Sequence, residues 1–124
     1  MGYEMRFYVV KKANLRSEAN EPHKWAEVVA IFNYCKDYDM AGWIDRNYQP
    51  TNCYIFADDG NTEILEDMYG SPLIEIPIKD MIDYLEKNNV DYRRVKPLLA
   101  LLKAFDEENE TKWGNELVIL RYGY

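Results

Sequence analysis

Histidine, cysteine and glycine are scarce in this chain, and each scarcity removes a class of chemistry. The one histidine, His23, opens the helix expected below, which also carries Cys35. On a helix, a rise of about 1.5 Å per residue sets these two about 18 Å apart. They cannot form a Cys–His nucleophile couple there. Cys35 and Cys53 make no C-x-x-C pair, which speaks against a structural zinc site, and two cysteines are too few for a disulfide scaffold. Both read as buried free thiols. The six glycines fall in no G-x-G-x-x-G, P-loop or G-x-S-x-G pattern. Dinucleotide, phosphate-loop and hydrolase signatures are therefore missing.

Long apolar runs are also missing. Nothing approaches the roughly 20 residues that cross a bilayer. The opening MGYEMRFYVVKK carries Glu4 and Arg6 where a signal peptide needs an unbroken apolar stretch, and Arg6 stands where a myristoylation motif needs Ser or Thr. The expectation is a soluble cytoplasmic protein without cofactor or membrane partner. A length of 124 residues fits one domain, and an apolar fraction of 48% argues against disorder. A chain of this size buries about two-thirds of its unfolded surface.

Met5, Phe7 and Val9 alternate with Arg6, Tyr8 and Val10, which predicts a strand ending at Lys11–Lys12. Asn20 and Pro22 read as a helix start, and Trp25, Val28, Val29, Phe32 and Cys35 recur at helical spacing toward Asp37. Ala41–Asp45 reads as a short strand. Cys53–Ala57 and Thr62–Leu65 read as a hairpin about the turn Asp58-Asp59-Gly60-Asn61. Leu73–Ile76 is a further strand. Pro77 opens a helix with Ile78, Met81, Ile82 and Leu85 on one face, closed by Asn88–Asn89. Asp91 and Pro97 start another, with Leu98, Leu101, Leu102 and Phe105 in a stripe. Glu116–Tyr122 is apolar on both faces, as in a strand covered on both sides. The fold class expected is α+β: a single compact domain, a mostly antiparallel sheet of short strands, and about three helices packed on it.

The stretch Cys53–Gly70 holds Asp58, Asp59, Glu63, Glu66 and Asp67 and no base. As a calcium loop with Gly60 at position six, it has Glu66 at position twelve, but Ile55 and Ala57 stand where ligands one and three belong. As a two-metal site it needs converging carboxylates, whereas the consecutive Asp58 and Asp59 face opposite ways in extended chain. The sole Glu-x-Lys, Glu110-Thr111-Lys112, falls in a polar loop. No metal site and no catalytic residue is expected. The plainest reading of these acids is turn chemistry and a solvated face.

The distribution of charge carries more. Residues 1–36 have a net charge of +2, residues 37–83 of −9, and residues 84–124 of zero, against −7 for the chain. The acidic middle is interleaved with Trp43, Tyr48, Tyr54 and Tyr69. Carboxylates steer a positive partner and speed association, while Trp and Tyr dominate interface hot spots. Asp37, Asp39, Trp43, Asp45, Tyr48, Asp58, Asp59, Glu66 and Asp67 are the expected contacts with a basic protein, such as a nuclease or another nucleic-acid-handling protein. Direct nucleic-acid binding is disfavoured, because phosphates repel carboxylates.

A basic patch, Tyr92-Arg93-Arg94-Val95-Lys96, precedes Pro97. Its plain reading is charge balance against Asp91 and Asp106-Glu107-Glu108. Its sharper reading, through Tyr92, Arg93, Arg94 and Lys96, is a site for a small anionic ligand such as a nucleotide, at a boundary between copies in a homo-oligomer. In size, acidity and tyrosine content the chain resembles phage-encoded antagonists of bacterial defence and immunity proteins that neutralise toxic nucleases. The resemblance is one of composition and implies a non-enzymatic inhibitor.

Overall fold

The alternation at the start of the chain produces strand β1 (Met5–Lys12), whose two faces enter two different cores. The computed structural model describes residues 4–12, 24–51, 53–57, 59–88, 95–110 and 116–123. After β1 come β2 (Lys24–Asn33), α1 (Tyr38–Asn47), β3 (Cys53–Phe56), β4 (Glu63–Ile64), β5 (Ile74–Ile76), α2 (Ile78–Lys87), α3 (Val95–Glu110) and β6 (Leu117–Gly123). The fold is α+β. The sheet order is β4-β3-β2-β1-β6-β5, mixed because β2 and β3 run parallel while the other pairs are antiparallel.

The sheet curls until its outer strands are linked. Glu66, just past β4, bridges to Pro72, just before β5, and Leu73 N donates to Leu65 O at 3.4 Å. Inside the curl lie Tyr8, Val10, Ala26, Cys53, Ile55, Leu73, Val118 and Leu120. The outer face carries Met5, Phe7, Val9, Leu117 and Ile119, covered by Met40 and Ile44 of α1, Ile78, Met81, Ile82 and Leu85 of α2, and Val95, Leu98 and Leu102 of α3. β6 is therefore covered on both sides, which is what its unbroken apolar run requires. The apolar stripe expected for α2 packs here whole; of the one expected for α3, Leu98, Leu102 and Phe105 pack here, joined by Val95 and Leu99 rather than by Leu101. Among the described residues, no helix is long and apolar enough to cross a membrane.

Two expectations are corrected. The stretch with helical spacing from Trp25 is β2, a strand. Its ladder with β1 steps from Val9–Ala30 to Val10–Val28, leaving Val29 as an extra residue. This bulge reverses the facing of the strand partway along. Ala26 and Val28 pack inside the curl, while Ala30 and Phe32 pack on the helix side. A strand with a reset period imitates a helical stripe. Asn20, Pro22 and His23 lie outside the described residues.

Ala41–Asp45 is not a strand but the middle of α1. Asp37 is its N-cap, with Oδ1 accepting from Met40 N at 3.0 Å, and the acidic Asp39 lies in its first turn and the basic Arg46 in its last. All three complement the helix termini. Met40, Ala41 and Ile44 are its buried side. Gly42 obscures the helix in sequence, yet it has a local use. A Cβ there would stand 2.9 Å from Arg46 Nη1, so the glycine lets the guanidinium lie along the helix.

Candidate functional site

α1 and α2 leave an open groove of about 750 Å³ between their exposed faces. From α1 and its cap come Asp37, Tyr38, Asp39, Trp43 and Arg46, and Tyr48 follows at the helix end. From α2 come Asp80, Asp83, Tyr84 and Lys87, spaced i, i+3, i+4, i+7 on one side of the helix, with Asn88 at its C-cap. The same α2 turns hold Ile78, Met81, Ile82 and Leu85 in the core. One amphipathic helix thus fixes the groove wall and anchors it.

Aromatic packing joins the walls. The rings of Trp43 and Tyr84 stack with centroids 4.2 Å apart and planes 24° apart. Tyr48 meets Trp43 edge-on at 5.2 Å. Tyr48 Oη donates to Asp80 Oδ2 at 2.8 Å. Burial pushes the Tyr48 phenol well above the usual tyrosine range, and the bond to Asp80 and the Asp80 charge push it the same way. It stays a donor at physiological pH.

The groove holds four carboxylates and two cations. Asp37 is buried and serves α1 as its cap. Asp80 is engaged by Tyr48. Asp39 and Asp83 are exposed. Among the described residues no ion pair joins Arg46 or Lys87 to any of the four.

Of the acids and aromatics expected to form a contact face, Asp37, Asp39, Trp43 and Tyr48 converge on this groove. The others that the structure describes do not line it. Asp45 turns to Arg121, with Oδ1 at 2.9 Å from Nη1. Asp59 holds the β3–β4 turn, its Oδ1 accepting from Asn61 N at 2.8 Å and Thr62 N at 2.9 Å, and its Oδ2 from Thr62 Oγ1 at 2.6 Å. The Thr62 hydroxyl leads in drawing its carboxyl down to about 2, followed by the Thr62 and Asn61 backbone N–H groups. Asp67 is buried and holds the next turn, Oδ1 accepting from Tyr69 N at 2.8 Å and Ser71 N at 3.0 Å. Glu66 is exposed beside the bridge to Pro72. Tyr54 packs on Phe56 at 5.4 Å, and Tyr69 is exposed at a turn. Asp58, Tyr92, Arg93 and Arg94 lie outside the described residues, and Lys96 is exposed in the first turn of α3.

Sequence reasoning misses Tyr38, Asp80, Asp83, Tyr84 and Lys87. The four on α2 form a polar and aromatic stripe adjacent to its apolar one, while Tyr38 opens α1. Among the described residues, no group of three His, Cys, Asp or Glu side chains could hold a metal ion. Compared with protein-family models, with curated proteins and with solved structures, the chain matches none.

Proposed function

We propose that this chain is a non-enzymatic binding protein that holds a basic segment of a partner protein in the α1–α2 groove, and that the partner is a nucleic-acid-handling protein which it inhibits. The observation that carries this reading is the joining of four carboxylates and a Trp43–Tyr84–Tyr48 aromatic cluster in one open groove. The carboxylates supply steering toward a cationic surface, and the −9 charge of residues 37–83 extends their field. The aromatic cluster supplies the rigid contact area on which interface energy concentrates. A basic surface in a cell is most often one that handles nucleic acid, and a carboxylate-lined protein seated there excludes phosphate by charge.

The test is capture from bacterial lysate by the tagged chain and by two variants of equal charge change. Asp39→Lys with Asp83→Lys reverses the groove, and Glu66→Lys with Glu63→Lys reverses exposed positions outside it. A basic, nucleic-acid-handling protein recovered by the wild type and the second variant but lost by the first supports the reading. Equal recovery by all three refutes it.

A further inference from the structure

β3 pairs with β2 only at Lys24 and Trp25, and among the described residues no strand takes the same edge of β2 beyond them. On the other edge, Tyr34 N donates to Met5 O at 2.8 Å. In an antiparallel ladder, pairs that exchange hydrogen bonds alternate with pairs that do not. Phe32 therefore turns its backbone groups to β1, and Ile31 turns its N–H and C=O away, along the edge that β3 has left. Ile31 is 52% exposed and Val29 42%.

Sheets protect a free edge with charge, proline or a covering segment. From Val28 to Tyr34 this strand has no charged residue and no proline. Its charges stand beyond the two ends: Glu27 before and Lys36 after, both exposed. That arrangement is complementary to itself. Two copies run antiparallel about a two-fold axis bring Glu27 of each toward Lys36 of the other, with the apolar residues between. The wider charge map agrees: residues 1–36 carry +2 and residues 37–83 carry −9, so β2 belongs to the part of the chain where two copies repel least.

We propose that β2 is the interface of a symmetric dimer, paired antiparallel with β2 of a second copy so that the two sheets become one. Ile31 sits opposite Ile31 at the axis, and the two exchange a pair of backbone hydrogen bonds. Glu27 and Lys36 of opposite copies then lie one position out of register, within reach of their side chains. The pairing consumes the free edge, so assembly closes at two copies.

Sedimentation velocity over a concentration series, on the full chain, tests this. The wild type is expected to pass from monomer to dimer. Ile31→Lys sets two ammonium groups at the axis and is expected to raise the Kd about a hundredfold. Glu27→Lys and Lys36→Glu should each weaken the dimer about fivefold, and the two together should restore it. Ile31→Cys should cross-link two copies on oxidation, because Cα atoms of a hydrogen-bonded pair lie about 5.5 Å apart, within disulfide reach. A wild type that stays monomeric at every concentration overturns the proposal, as does a dimer that Ile31→Lys leaves intact. Should Ile31→Lys fail to fold, the other variants decide: a charge exchange that does not restore the dimer, or no cross-link through Ile31→Cys, overturns the pairing.

Discussion

Trp43 on α1 and Tyr84 on α2 stack with their planes only 24° apart, so the two helices that bound the groove are joined by the rings that line it. Under the proposed function, recognition and helix docking share the same side chains. Trp43→Ala is expected to lower stability by about 2 kcal/mol, less than for a fully buried tryptophan, and to weaken partner binding. Tyr84→Phe keeps the stack and should keep both properties near wild type. Urea unfolding beside a binding titration separates the two effects.

Tyr48 should make the protein sensitive to alkali. Its phenol ionises in the unfolded chain near pH 10.0 and higher in the folded one. The folded state thus holds a proton that the unfolded state has lost, so stability falls as pH rises above about 10. Its contribution is fully present below that pH. Tyr48→Phe removes this slope and costs about 1 kcal/mol at neutral pH through the lost bond to Asp80. Melting curves from pH 8 to pH 11 compare the two proteins; parallel curves would falsify the assignment.

Asp59 should make the β3–β4 hairpin sensitive to acid. Its carboxyl titrates at about 2 when folded, against 3.8 ordinarily. The stabilisation is present above the ordinary value and fades as pH falls through the window from 3.8 to about 2. Carbon-13 NMR of the side-chain carboxyl reads the titration directly. Asp59→Asn is expected to flatten the acid limb of hairpin stability, and an Asp59 that titrates near 4 contradicts the turn geometry.

The Asp45–Arg121 pair joins α1 to β6 across very different exposures. Removing Asp45 leaves a buried guanidinium without its counter-charge, so Asp45→Ala is expected to cost about 1–2 kcal/mol, reduced from the buried-pair range because Asp45 itself is largely in water. In an Arg121→Met background the same change should cost close to nothing. A double-mutant cycle by denaturant unfolding measures the coupling. Additive costs would show that the pair is not coupled.

Much of this fold is legible in sequence where one physical signal dominates. α2 and α3 show their apolar stripes because their buried sides face a single core. β1 and β6 show as strands because both of their faces are covered. β2 is concealed by Val29, whose bulge turns a period of two into an apparent period near four. α1 is concealed by Gly42 and by its short apolar side, although Asp37 and Asp39 announce its start. Half of the groove is legible as acid next to aromatic in residues 37–48. The α2 half is not, because Asp80, Asp83 and Tyr84 are ordinary solvent-facing residues of an amphipathic helix until α1 is placed beside them. Asp59 and Asp67 show the opposite case: acids that look available and are consumed by their own turns.

β1 and β6 are neighbours in the sheet, with Met5 registered against Gly123 and Lys11 against Leu117. Nearly the whole described chain lies between these partners, and the groove-bearing helices pack on the surface that the pair completes. A ribosome therefore releases both walls of the groove before the strand that backs them. Closure of so long a loop makes this pairing a late and slow event in folding. Until then the apolar sides of α1 and α2 lack Leu117 and Ile119, the part of their core that β6 supplies.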